Sequence, residues 1–191
     1  MPCRRAPVPG AGFTLAEVLI ALLVVALGVA GAAALQTRAL RTGRDAARLS
    51  AGTRLAASLA ERMRANPAAM SLADADNPYL RLDYDAAAGP PTAAGLCYAD
   101  ADCDAGQLAA FDRFELAQAV ATQFPGGRIR VCRDATVPDP VTGLSSWDCD
   151  DAAAAPLAIK LGWRGAGDPD VPRVLLFVGA GAAAALPTEA P

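Results

Sequence analysis

The sequence predicts an α+β protein in which one long N-terminal α-helix packs on a small antiparallel β-sheet, beside a loop region stapled by disulfides. Three observations lead to this prediction. An uninterrupted apolar run extends from Val18 to Leu35, and behind it apolar residues recur at helical spacing. Short alternating runs separated by turn residues follow Pro125, as is typical of antiparallel strands. Four cysteines lie in or beside segments rich in Asp, Pro and Gly.

The long helix is predicted to run from Phe13 to about Arg64 and to have two different halves. Residues 13–35 contain the apolar run, which at about 18 residues is long enough to cross a bilayer. The second half is amphipathic and is expected to pack on the rest of the protein. Asn66-Pro67 should end the helix, because the residue before a proline disfavours the helical conformation. The predicted apolar stripe of the second half comprises Leu40, Ala47, Ala51, Leu55, Leu59 and Met63.

A connector and a second, short helix are expected to follow. Residues 66–104 contain many Asp, Asn, Pro and Gly residues and are predicted to be irregular. Asp104 with Gln107 three residues later forms the pattern of a capping box, which predicts a helix start. This helix should end before Pro125. Its predicted apolar face comprises Leu108, Phe111, Phe114, Ala117, Val120 and Phe124.

Three strands are predicted after the short helix, at Arg128–Cys132, Leu157–Trp163 and Val171–Val178. The middle segment alternates most clearly, with Lys160 on the face opposite to Ile159 and Leu161. Short runs separated by turns favour an antiparallel meander. One face of this sheet should pack on the second half of the long helix.

Composition excludes several classes of function. The chain has no histidine, which excludes a histidine-based catalytic triad, a histidine-ligated zinc site and an imidazole base. Acidic residues outnumber basic ones by 20 to 17, so there is no electrostatic footprint for nucleic acid. Lys160 lies in the middle of a predicted strand, and the aspartates of the loops lack any catalytic motif. We therefore expect neither an enzyme nor a cofactor.

The cysteines indicate an oxidising compartment. Cys3 lies near the start of the chain, and Cys97, Cys103, Cys132 and Cys149 form an even set behind the apolar run. Four cysteines allow three pairings. The local pairing, Cys97 with Cys103 and Cys132 with Cys149, is favoured because each bridge would staple one loop. Free buried cysteines are an alternative, whereas a zinc site is disfavoured because no C-x2–4-C spacing occurs.

Calcium binding by the part of the chain that follows the apolar run is a further alternative. Asp100, Asp102 and Asp104 have the spacing of the first ligands of an EF-hand loop. However, Ala105 stands where such a loop needs glycine, and Phe111 stands where it needs a bidentate glutamate. Asp104 is better explained as a helix cap, so no metal site is predicted.

Glu17 is the most informative residue of the N-terminal segment. A carboxylate inside a membrane helix costs about 2.5–3.5 kcal/mol at the helix centre, so its position beside the apolar run requires a reason. Cleavage after Gly12 would make Phe13 the new amino terminus, with Glu17 as residue five behind it. The segment Met1–Gly12 carries Arg4 and Arg5 and no acid, as a cytoplasmic flank should.

Two simpler interpretations of this segment remain open. A conventional secretory signal could end in the alanines before Leu35 and release a soluble protein that begins there. A plain single-pass anchor is the other. Neither interpretation explains why the acid stands at position 17.

Residues 12–31, G-FTLAEVLIALLVVALGVAG, resemble the class III signal of type IV pilins and pseudopilins. The resemblance implies that a prepilin peptidase cuts between Gly12 and Phe13 and methylates the amine of Phe13. It also implies that Glu17 pairs with the amino terminus of a neighbouring subunit during assembly. The chain would then consist of a cleaved leader (1–12), a half-helix in the membrane or the filament core (13–35) and a periplasmic head (36–191).

The head resembles the PilV family of type IV pilus modification proteins. The motifs that carry this resemblance are Cys97-x5-Cys103, Gln107–Asp112, Phe124–Gly127, Val131–Asp134 with Cys149, and Ile159–Arg164. The resemblance implies a minor pilin that is anchored in the bacterial inner membrane, helps to initiate pilus assembly, and is incorporated into the filament or caps it. Its implied partners are the prepilin peptidase, other minor pilins, the major pilin, the inner-membrane assembly platform and a tip adhesin. A minor pseudopilin of a type II secretion system is the alternative.

Overall fold

The computed structural model describes residues 12–93, 95, 97–98, 102–136, 138–165 and 169–179. The predictions for the leader residues 1–11 and for Asp100 lie outside these residues. The chain divides into two compact units between Ala46 and Ala47, and each unit is described by itself below.

Helix α1 extends over Leu15–Ala65 and continues from the first unit into the second. Its end agrees with the position of Asn66-Pro67. Asn66 instead caps a one-turn helix α2, Pro67–Met70, because its side chain accepts a hydrogen bond from the Ala69 amide. Proline at the first helical position suits this turn, since it has no amide hydrogen to satisfy.

The connector is more regular than the sequence predicted. Besides α2, it contains the 3-10 turns Pro78–Arg81 and Ala86–Ala88 and the strand β1, Asp83–Asp85. The prediction of an irregular segment over residues 66–104 was therefore wrong in part. Asn77 caps the first 3-10 turn in the same way that Asn66 caps α2. The two Asn-Pro pairs are the sequence signal for these turns.

Helix α3, Ala105–Gln123, starts at the predicted capping box. The Asp104 side chain accepts from the Gln107 amide at 2.8 Å, and the Gln107 side chain accepts from the Asp104 amide at 2.9 Å. The buried face of α3 differs from the prediction, because Leu108 is 37% exposed whereas the acidic Asp112 is buried. The face is rotated towards Ala109 and Leu116, which join the core.

The sheet is an antiparallel meander of four strands in the order β1-β2-β3-β4. The other strands are β2, Arg128–Arg133, β3, Leu157–Gly162, and β4, Val174–Val178. The predicted sheet lacked β1, which pairs with β2 through Tyr84 opposite Ile129. The α+β fold class is confirmed, with a long helix, a small antiparallel sheet and two disulfides.

The core lies between the sheet and the second half of α1. Gly52 permits a close approach here, because a Cβ atom at this position would lie 3.1 Å from side-chain atoms of both Leu161 and Trp163. The prediction that Leu40 and Ala47 extend the buried stripe was wrong, since both are exposed. The α1 residues that are buried are Gly52, Ala56, Leu59, Ala60 and Met63.

Both disulfides have the local pairing that the sequence favoured. Cys97 is joined to Cys103 across six residues, and Cys132 is joined to Cys149 across seventeen. The first closes the loop before α3. The second joins strand β2 to the segment that precedes β3.

Candidate functional site

Thr14 and Glu17 form a capping box at the start of α1. The amide and the hydroxyl of Thr14 each donate to Glu17 Oε2 at 3.2 Å, and the Thr14 hydroxyl oxygen accepts from the Glu17 amide at 3.3 Å. These bonds satisfy donors that a helix start otherwise leaves open. The carboxylate is thereby fixed in the first turn, where the helix dipole favours negative charge. The T-x-x-E pattern is visible in the sequence, but the prediction for Glu17 did not use it.

The predicted processing residues are open to solvent. Phe13 is 87% exposed, and no atom lies within 4 Å of the position that a Cβ would take at Gly12. The structure therefore places Gly12, Phe13 and Glu17 together at the start of α1, with nothing folded over them among the described residues. This geometry leaves the peptide bond after Gly12 accessible.

The apolar run behind Glu17 is exposed throughout. α1 contains a window of mean hydropathy 2.8 with none of its residues buried, and it is long and apolar enough to cross a membrane. The aliphatic side chains from Val18 to Leu35 are 48–71% exposed. So large an apolar surface requires lipid or other helices around it, because apolar area in contact with water is unfavourable.

In the head, a polar network joins the end of α1 to α3. Arg62 donates to Asp112 Oδ1 at 2.8 Å and to Glu115 Oε2 at 2.6 Å. Tyr79 donates its hydroxyl hydrogen to Asp112 Oδ2 at 2.8 Å, so both oxygens of Asp112 have a partner. The Asp112 side chain is only 5% exposed, and burial of a charge is tolerated when it is paired and hydrogen-bonded in this way.

The network extends to the first disulfide loop and to the end of α1. Tyr98, beside Cys97, donates to Glu115 Oε1 at 2.7 Å and packs edge-on against Phe111 with 4.7 Å between ring centroids. Asn66 donates to the Tyr79 hydroxyl at 3.3 Å and to the Ala105 carbonyl at 2.8 Å. Tyr98 therefore joins the first disulfide loop to α3, and Asn66 joins the end of α1 to the start of α3.

The pKa values of this network follow from its geometry. Burial would raise the pKa of Glu115, but hydrogen bonds from Tyr98 and Arg62 outweigh burial and lower it. Burial and the neighbouring Asp112 raise the pKa of Tyr79, so this phenol stays protonated as a donor. Because the pKa of Glu115 is lowered, the unfolding free energy of the head should depend on pH.

We predict that the stability provided by Glu115 is lost in acid. A group whose pKa is lowered by folding contributes stability above its unfolded pKa of about 4.3, and this contribution disappears as the pH falls through the folded value. The difference in unfolding free energy between the wild type and Glu115→Gln should therefore shrink below about pH 4.3. Urea unfolding between pH 6 and pH 3 measures it, with the exposed Glu61→Gln as control. A difference independent of pH would contradict the assignment.

The side chain of Lys160 holds the backbone of the segment before Cys149, which is part of the second disulfide loop. Its ammonium group donates to the carbonyl oxygens of Ser146 and Asp148 and forms an ion pair with Asp134 Oδ2 at 2.5 Å. Both charged side chains are 1% exposed. Burial would raise the pKa of Asp134, but the bonds from Lys160 and Thr136 lower it. Lys160 is therefore a structural residue, which the sequence did not reveal.

In the described part of the chain, the aspartates that have the spacing of an EF-hand loop are not brought together as a metal site. Asp104 caps α3, Asp102 is exposed, and Asp100 lies outside the described residues. Within the residues that the structure describes, no group of three acidic, cysteine or histidine side chains is arranged to hold a metal ion.

Comparison with known proteins gives a match, which covers the second half of α1, the connector and half of α3. Residues 34–114 match the family model described as Tt1218-like, type IV pilin Tt1218. Over these residues the chain is similar to a type IV pilin. The match covers less than half of the 191 residues and begins after the segment that carries the pilin signal. No curated protein and no solved structure matches the chain.

The similarity to a type IV pilin fits the exposed apolar part of α1. A pilin-like role requires a membrane-anchored pilus component, and the exposed apolar helix fits such an anchor. It also implies contacts with other pilus components in general.

Proposed function

We propose that this chain is a minor type IV pilin of the PilV type, which helps to initiate pilus assembly and enters or caps the filament. The observation that carries the proposal is the carboxylate of Glu17 at the start of an exposed apolar helix. In this role the leader is removed after Gly12, the amine of Phe13 is methylated, and Glu17 pairs with the amine of an adjacent subunit. A carboxylate in an apolar environment needs such a cation.

The proposed mechanism of initiation is physical. Extracting an apolar helix from the inner membrane is costly, because the transfer of its apolar side chains out of lipid is unfavourable. A cluster of minor pilins offers the first major pilin an apolar groove and an amine–carboxylate partner before extraction. Small residues of α1, such as Gly28 and Gly31, leave open space on its surface and allow close approach of a second helix.

The proposed partners follow from this role. They are the prepilin peptidase, the other minor pilins, the major pilin, the inner-membrane assembly platform and a tip adhesin. The head lies in the periplasm, where its two disulfides are stable. The proposal assigns no catalysis and no cofactor to the chain.

Deletion of the chain in its native host tests initiation. We expect few or no surface pili while the major pilin remains in the membrane, and we expect the wild-type chain to restore them. Pili are counted by electron microscopy, and membrane pilin is measured by immunoblotting. Normal pilus numbers after deletion would exclude a role in initiation.

We predict that Gly12→Leu blocks removal of the leader. No atom lies within 4 Å of this position, so the new side chain should leave the fold intact and act only on recognition by the peptidase. Intact mass of the membrane protein should show a retained leader. Gly43→Leu is the matched control, since this glycine of α1 is equally open. A normally processed Gly12→Leu chain would contradict the assigned cleavage site.

A further inference from the structure

The head contains a cleft of about 670 Å³ beside the first disulfide loop. It is lined by Arg113, Phe114 and Ala117 of α3, by Asp83 and Tyr84 of strand β1, and by Arg81, which precedes that strand. The disulfide between Cys97 and Cys103 lines the same cleft. The covalent staple and the polar network around Tyr98 thus hold the loop that borders it.

Arg113 differs from the other half-buried arginines of the head. Arg62 pairs with two carboxylates, and Arg133 binds Asp74 through two nitrogens at 2.7 and 2.8 Å. Arg113 instead makes one long hydrogen bond of 3.4 Å to the backbone carbonyl of Arg81, and its Nε, like that of Arg128, is buried without a hydrogen-bond partner. Among the described residues, no carboxylate forms an ion pair with it.

A second guanidinium group lies in the same cleft. Arg81 donates to the backbone carbonyl of Ala75 at 3.2 Å and, within the described part of the chain, has no carboxylate partner either. Burial lowers the pKa of Arg113, and the nearby positive charge of Arg81 lowers it further. A half-buried cation such as Arg113 is costly without a counter-charge, because it is partly removed from water.

The acids of the cleft do not neutralise this pair. Asp83 lies in the wall, but its carboxylate is 3.5 Å from Arg128 and 3.7 Å from Arg130 on β2. Asp102 is exposed on the disulfide loop and, within the residues described, forms no ion pair with Arg81 or Arg113. The cleft therefore has a lining of mixed polarity that contains two cations, for which the described residues supply no ion-pair partner.

We propose that this cleft binds an acidic segment of another pilus subunit, whose carboxylate inserts between Arg81 and Arg113. Charge complementarity selects the carboxylate, because a guanidinium group binds it through charge-assisted hydrogen bonds. The volume of the cleft and its apolar lining residues, such as Leu82 and Phe114, accept the residues that flank the acid. That the partner is a pilus subunit depends on the function proposed above, whereas the recognition of a carboxylate by the cleft does not.

Binding to the purified full-length protein in detergent micelles tests the proposal. The probe is a fluorescein-labelled, end-blocked peptide Ala-Ser-Glu-Leu-Ala, and its matched control carries glutamine in place of glutamate. We expect the glutamate peptide to bind, and the glutamine peptide to bind at least about tenfold more weakly, because the charge-assisted bonds are lost. Fluorescence anisotropy at low ionic strength measures both affinities.

Substitutions locate the binding site. Arg113→Gln and Arg81→Gln should each lower the affinity for the glutamate peptide at least about tenfold. Arg54→Gln should leave the affinity unchanged, since Arg54 is exposed on α1 and contacts Ser50. If Arg113→Gln fails to fold, the exposed Arg81→Gln decides the question. Absent binding, equal binding of both peptides, or full binding by the arginine variants would overturn the proposal.

A competition experiment separates a subunit from a small anion. Unlabelled glutamate peptide should displace the probe at a lower concentration than succinate does, because succinate lacks the flanking residues. Equal displacement by succinate would overturn the docking role and indicate a site for small carboxylates. These assays do not require pilus assembly, so their failure is distinct from normal piliation in the deletion strain.

Discussion

Glu17→Ala is expected to be cleaved and methylated normally but to enter pili at least about tenfold less than the wild type. The reason is that the variant removes the carboxylate that would meet the amine of an adjacent subunit in an apolar environment, where loss of one partner of an ion pair is strongly unfavourable. The measurement is the ratio of this protein in sheared pili to that in membranes. Normal incorporation would count against the proposed role of Glu17.

Two further variants separate assembly from helix capping. Glu17→Gln removes the charge but leaves an oxygen that can accept from Thr14, whereas Thr14→Val removes the hydroxyl and keeps the carboxylate. If charge pairing matters, Glu17→Gln should be as defective as Glu17→Ala, and Thr14→Val should be close to wild type. The reverse order would show that Glu17 acts through the capping box.

Asp112→Ala is expected to lower the unfolding free energy of the head by about 2–3 kcal/mol. It leaves the Tyr79 hydroxyl without an acceptor and Arg62 with one carboxylate instead of two. The value lies below that of a fully buried ion pair, because Arg62 is 37% exposed and water can replace part of the interaction. Urea unfolding followed by tryptophan fluorescence, to which Trp163 in the core contributes, measures the loss.

Two control variants accompany Asp112→Ala, one at the same position and one at an exposed ion pair. Asp112→Asn keeps the shape of the side chain and one acceptor oxygen, so we expect about half of the loss. Arg64→Gln removes the exposed pair with Glu61 on α1 and should change stability by less than about 0.5 kcal/mol. A loss as small for Asp112→Ala as for Arg64→Gln would mean that the network does not hold α1 to α3.

The features that the sequence predicted correctly depend on residues close together in the chain. The apolar run with Asn66-Pro67 behind it determined where α1 ends, and Asp104 with Gln107 determined where α3 begins. The local disulfide pairing was favoured for the same reason, since each bridge closes a short loop. Signals of this kind are set by periodicity, capping and turn chemistry.

The missed features depend on residues that are distant in the chain. Asp112 is buried because Arg62, fifty residues earlier, and Tyr79 meet it there. The burial of Lys160 likewise depends on Asp134 and on two loop carbonyls. Strand β1 was missed because Asp83-Tyr84-Asp85 has no apolar run and is a strand only by its pairing with β2. No local pattern records such contacts.

The cleft lined by α3 and β1 also depends on residues that are distant in the chain, so the sequence did not predict it. Arg81 and Arg113 are 32 residues apart, and each has the appearance of an ordinary surface arginine in the sequence. Only the fold brings their guanidinium groups to one cavity and leaves the neighbouring Asp83 paired with β2.

The intact mass and the N-terminal peptide of the protein, isolated without reduction from membranes of its native host, test the central claim most directly. The proposed function predicts a chain that begins with N-methylated Phe13 and whose mass is lowered by four hydrogens through two disulfides. A chain that begins at Leu35, or one that retains the leader, would contradict it.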